Sequence, residues 1–225
     1  MLNNDSVHAR RYCAKISRMI KRFLFFMSLG NLLVGCNNGP PSVYECHGSD
    51  CSYTCPDTGF CGEVDCSSSG SCVVACPGSA DCSLLDCQQS KNCNLHCSGD
   101  VDCGVLDCSE SGACDLACTG SSRCPLMRCT GATSCNVECS GNVACGLDCS
   151  GATNCSQSCT GSSRCLLNCT GATNCGFSEC AGAGELSCEH GVIACNRSCP
   201  VCGDGECEVA GGESCETCES DCGKC

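Results

Sequence analysis

Cysteine carries most of the potential chemistry in this sequence, at 38 of 225 residues. Sulfur at that density does one of two things. It cross-links as disulfides, the habit of exported chains above roughly 8–10% Cys, or it holds metal as clustered thiolates. Metal-storing chains depend on C-C and C-x-C clusters, and neither occurs here. Disulfide chemistry in an oxidising compartment is therefore expected. Zinc-like C-x2-C spacing is confined to the C-terminal end, at Cys199 and Cys202, Cys215 and Cys218, and Cys222 and Cys225. Within so dense a disulfide population these too are expected to be structural bridges. Other reactive groups are sparse. Beyond residue 35 the histidines are His47, His96 and His190, whereas a nucleophilic hydrolase needs such a base beside its Ser or Cys. The sequence thus predicts no enzyme and requires no cofactor. The oxygen ligands that could admit Ca2+ are Asp204, Glu206, Glu213 and Asp221 near the C-terminus.

The elements that position these residues begin with a leader. Residues 1–35 hold Arg10, Arg11, Lys15, Arg18, Lys21 and Arg22 against one acid, Asp5, followed by an apolar run from Phe23 to Gly35. Thirteen residues fall short of the roughly 20 that span a bilayer, so the run reads as a signal segment. Its end, Leu33-Val34-Gly35-Cys36, resembles the lipobox of bacterial lipoprotein signal peptides. The resemblance implies lipidation of Cys36 and a membrane anchor. Asn37 in the next position implies the outer membrane or cell surface, and Met19 offers a second possible start. Several acyl chains on one Cys suffice for stable anchoring. Residues 36–45 then read as a polar tether. Without the leader the chain keeps 24 acids and six bases, a net charge of −18, which argues against nucleic acid as a partner. Dropping Cys13 and Cys36 leaves 36 Cys, an even number that permits full pairing.

From Cys61 a single spacing recurs at Cys82, Cys103, Cys124, Cys145 and Cys165, with steps of 21 and finally 20 residues. A fixed period of this length predicts a solenoid whose coils bury their faces against neighbouring coils. Each period holds two strand segments, such as Cys72-Val73-Val74-Ala75-Cys76 and Cys165-Leu166-Leu167-Asn168-Cys169. Alternation turns both Cys and the middle residue inward. The inward positions are Val64, Val74, Leu85, Leu95, Leu106, Leu116, Met127, Val137, Leu147, Gln157, Leu167 and Ser178, ten of twelve apolar. A C-x4-C segment such as Cys82 to Cys87 predicts a bulge. Between strands, from Cys55 to Cys175, all twelve loops are C-x5-C and rich in Gly, Ser and Thr. The invariant gap predicts a disulfide across each bend, Cys66 with Cys72, Cys76 with Cys82, and so on to Cys169 with Cys175. Bonds running up a ladder between coils about 4.8 Å apart are the alternative.

The expected fold is therefore all-β: a narrow two-sheet solenoid of about seven coils over residues 46–195, followed by a disulfide-rich module over 196–225. Cys118-Thr119-Gly120-Ser121-Ser122-Arg123-Cys124 resembles the stapled turns of insect antifreeze β-helices, and the strand-plus-glycine-turn half-coil resembles calcium β-rolls. The C-terminal Cys202-Gly203-Asp204-Gly205-Glu206-Cys207 segment, with the Cys pattern after it, resembles C-G-D-G-x-C modules of secreted bacterial proteins.

Stacking in this register sets Asp65, Asp86, Asp107, Arg128, Asp148 and Asn168 in one outward column, where Ca2+ could bridge Asp65, Asp86 and Asp107. Beside it runs an apolar row of Leu84, Val105, Leu126 and Leu166, an expected partner face for a wall polymer, another surface protein or a second copy. The function these features suggest is a non-catalytic surface lipoprotein, a structural or adhesive rod. A secreted hydrolase and a cation- or ice-binding repeat are the other readings. The last rests on the hydroxyl column Ser98, Thr119, Ser140 and Thr160.

Overall fold

A computed structural model of the chain describes residues 43–224 apart from 47, 49, 206 and 212. The leader and Cys36 lie outside the described residues. Two sheets carry the fold. The first contains β1 (Val43–Glu45), β3 (Thr58–Phe60), β4 (Glu63–Asp65), β6 (Ser79–Asp86), β8 (Asp102–Asp107), β10 (Arg123–Arg128), β12 (Ala144–Asp148), β14 (Arg164–Asn168), β16 (Glu185–Ser187) and β17 (Val192–Cys195). The second contains β2 (Cys51–Thr54), β5 (Ser71–Cys76), β7 (Asn92–Gly99), β9 (Ala113–Gly120), β11 (Ser134–Gly141), β13 (Asn154–Gly161) and β15 (Asn174–Cys180). From β4 to β15 the chain alternates between the sheets, and each strand up to β15 pairs in parallel with the equivalent strand one coil away. This is the all-β, disulfide-stapled solenoid that the period predicts. Seven strands stacked in parallel define six steps rather than seven coils, a length of about 29 Å at the strand spacing.

Register follows the cysteines. Cys72, Cys93, Cys114, Cys135, Cys155 and Cys175 stand opposite one another, as do Cys76, Cys97, Cys118, Cys139, Cys159 and Cys180. Between them lies the buried ladder of Val64, Val74, Leu85, Leu95, Leu106, Leu116, Met127, Val137, Leu147, Gln157 and Leu167. The sequence expectation fails at Ser178. A register shift in the C-x4-C segment of β15 sets Phe177 opposite Gln157, and Ser178 is exposed. The same extra residue produces the irregularity between β10 and β12, where Cys124 faces Cys145 but Met127 faces Leu147. Aromatic rings close the N-terminal end of the ladder, with Tyr44 and Tyr53 stacked at 4.3 Å. Val43–Glu45, read from sequence as tether, is the first strand of the coil and pairs with β4.

All twelve C-x5-C bends carry the expected disulfide, from Cys55–Cys61 through Cys66–Cys72 and Cys118–Cys124 to Cys169–Cys175. Bonds run across each bend and not up the ladders. Bends after the second sheet use a glycine stack: Gly99, Gly120, Gly141 and Gly161 all have positive φ. A Cβ on Gly120 would sit 2.8 Å from the Gly99 carbonyl oxygen, so both conformation and space require glycine there.

The last coil ends differently. β17 lies antiparallel to β14 and to β16, and Cys180–Cys195 ties it to the second sheet. Cys188–Cys199, Cys202–Cys218 and Cys207–Cys222 then hold the C-terminal module.

Candidate interaction surfaces

The acidic column forms as the register predicts: Asp65 faces Asp86, Asp86 faces Asp107, Asp107 faces Arg128, and Asp148 faces Asn168. Its carboxylates have a local task that the spacing alone did not reveal. Each is the last residue of a strand, and its Oδ1 accepts the backbone N–H two residues on. The donors are Ser67 to Asp65 at 3.0 Å, Gln88 to Asp86 at 2.9 Å, Ser109 to Asp107 at 3.0 Å and Ser150 to Asp148 at 3.0 Å. Asn168 accepts from Thr170 N in the same way. These are Asx turns, in which a side-chain oxygen replaces a backbone carbonyl at the chain reversal. The signal was present in the Asp/Asn-Cys-Ser/Thr rhythm at 107–109, 148–150 and 168–170.

Stacked carboxylates also repel one another. Burial pushes the Asp86 carboxyl above its ordinary value, the Gln88 N–H opposes the shift, and Asp65, Asp107 and Glu63 add to it. Asp107 is relieved by Arg128 at 3.7 Å and by the Gln88 side-chain amide at 3.0 Å.

The apolar row is partly covered by the chain itself. Leu126 and Leu166 are buried in a small cluster with Val192, Ala194 and Ala210, whereas Leu84 and Val105 stay half-buried. Ala210 belongs to the 3-10 turn Val209–Gly211 and rests on β12 where Gly146 leaves room. A Cβ on Gly146 would meet the Ala210 methyl at 2.9 Å. The face expected to bind a separate partner is therefore occupied over half its length by the C-terminal module. The reason is simple: a row of exposed leucines is covered by the nearest apolar segment, and that segment lies in the same chain.

In the module, Asp221 accepts the backbone N–H groups of Gly203 at 2.6 Å, Asp204 at 3.2 Å and Gly205 at 3.2 Å. These donors hold its carboxyl below the usual range. Glu213 is buried and accepts the Glu208 N–H at 2.9 Å. Burial pushes its carboxyl up, Asp221 and Asp204 add to the shift, and Arg197 opposes it. Arg197 pairs with buried Glu208. The Asp221 and Glu213 carboxylates thus spend oxygens on the module's own backbone, and Glu206 lies outside the described residues. Every described cysteine from Cys46 to Cys222 is disulfide-bonded, a state in which its sulfur is not a thiolate ligand.

The outer face of the second sheet carries a shallow groove of about 610 Å3, lined in part by Asn94, Asp115, Asn136 and Glu138. Asp115 accepts the Asn136 amide at 3.1 Å, and Glu138 accepts Ser140 Oγ at 3.3 Å. His96 projects outward and is exposed, and Ser98, Thr119, Ser140 and Thr160 form one column as expected.

No family model, curated protein or solved structure matches this chain. Among the described residues no helix is long and apolar enough to cross a membrane.

Proposed function

We propose that the chain is a non-catalytic cell-surface lipoprotein, a disulfide-hardened rod held to a membrane through lipid on Cys36. One observation carries the reading: each coil is locked at both bends by a cross-link, so little of the chain is left to move. Compare one coil, in which Cys97–Cys103 spans one bend and Cys108–Cys114 the next. Enzymes depend on clefts and mobile loops, whereas a spacer or adhesive stalk depends on resisting deformation and proteolysis outside the cell. The acidic surface keeps copies apart and soluble. The leader residues Leu33-Val34-Gly35-Cys36 supply the anchor in this reading.

The test is expression in a bacterial host with labelled palmitate. The full chain is expected to incorporate label and sediment with membranes, and Cys36→Ala to lose both properties. Label retained by the Ala variant, or a wild-type chain recovered unlabelled in the medium, would overturn the anchored rod.

A further inference from the structure

Beyond residue 35 the chain has six basic residues, and three of them, Arg123, Arg164 and Arg197, line a single cleft of about 500 Å3. They arrive from separate elements. Arg123 opens β10 and Arg164 opens β14, both exposed on the outer face, with Ala144 of β12 between them in register. Two coil steps separate them, about 9.5 Å. Arg197 enters from the chain after β17 and is paired with Glu208, which also lines the cleft. Asp102 of β8 stands opposite Arg123 in register outside the cleft, and among the described residues no ion pair joins Arg123 or Arg164 to a carboxylate. The cleft therefore carries three positive charges against one negative, on a chain whose charge beyond the leader is −18.

We propose that this cleft binds a compact polyvalent oxyanion, a small molecule bearing phosphate or carboxylate groups. Guanidinium forks match planar or tetrahedral oxyanions bidentately, and converging like charges are relieved by such a counter-charge. The volume suits a small ligand, since such sites run roughly 300–1,000 Å3. Pro125 and Ala210 supply apolar walls beside the charges. A long polyanion would be repelled by the acidic remainder of the rod, whereas a compact one stays within about 8–10 Å of the arginines, the range over which salt leaves their field unscreened. The site does not depend on the anchored-rod reading, because it needs only the folded, oxidised chain.

The experiment is calorimetric titration of the oxidised mature chain at low ionic strength with pyrophosphate and, separately, citrate. Saturable one-to-one binding of at least one probe is expected. Pyrophosphate alone would assign phosphate chemistry, and citrate alone carboxylate chemistry. Arg123→Gln with Arg164→Gln should weaken binding at least tenfold, and raising salt should weaken it in the wild type. Lys91→Gln, a charge change outside the cleft, should leave it unaltered. Failure of both probes to saturate, or an equal loss in Lys91→Gln, would overturn the assignment.

Discussion

Removing one bend disulfide from the middle of the stack tests how much each contributes. In Cys108→Ala with Cys114→Ala, a closed loop of seven residues becomes open in the unfolded chain. The chain-entropy relation gives about 2.4 kcal/mol for a loop of that size. Both sulfurs are fully buried, so their loss leaves a small void worth on the order of 1 kcal/mol more. The expected total is about 3.5 kcal/mol. The bend disulfides follow one another along the chain without nesting, so each acts on its own loop. A second pair, Cys139→Ala with Cys145→Ala, should therefore add a similar loss on top of the first. Guanidinium unfolding followed by far-UV circular dichroism without reductant gives both numbers, with a disulfide map confirming that the other bonds are intact. A loss below about 1 kcal/mol for the single pair would mean that the bends hold their shape without sulfur.

Four further perturbations separate local roles. The hydroxyls of Ser69, Ser90 and Ser111 are buried with no hydrogen-bond partner, while the equivalent position in later coils is Ala132 and Ala152. Ser90→Ala should raise stability by about 1 kcal/mol in the same unfolding assay, and a loss would mean that the hydroxyl has a partner after all. Asp86→Asn keeps the Asx acceptor, as Asn168 does in the same column, and removes the repelled charge. Because the folded state raises the Asp86 carboxyl above 3.8, its contribution is full below that pH and is lost as pH rises through the folded value. The variant should therefore be more stable than wild type at pH 7, with the difference vanishing in acid. The Asp221 carboxyl, held below 3.8, runs the other way, so acid should loosen the C-terminal module first, seen as faster hydrogen exchange over residues 203–205. Ala210→Asp would bury a charge in the apolar cluster with Leu126 and Leu166, and limited proteolysis should then cut residues 196–225 faster while the coil remains resistant.

Much of the coil is legible in the sequence because its information is periodic. The same cysteine spacing recurs every 20 or 21 residues, so register, inward ladder and bend disulfides all follow from one repeated unit. Ser178 was misplaced because a C-x4-C segment offers two choices of bulged residue, and packing at the end of the ladder favours Phe177 inside. The columns were placed in the right register, but their work was not. Asp65, Asp86, Asp107 and Asp148 look like a charge ladder in a string of letters, and only backbone geometry shows that each closes a turn. Contacts between the non-repeating module and the repeats have no period at all. That Ala210 meets Gly146, or that Arg197 joins Arg123 and Arg164, could be learned only from the folded chain.

The most direct measurement is made on the fully reduced and alkylated mature chain in native buffer. If sulfur cross-links hold the coil, far-UV circular dichroism should show loss of the β signature, and amide exchange across Leu85, Leu106 and Met127 should run at unprotected rates. A chain that keeps its strands and its exchange protection after alkylation would contradict the account, and would place the stability in the ladder of buried apolar side chains instead.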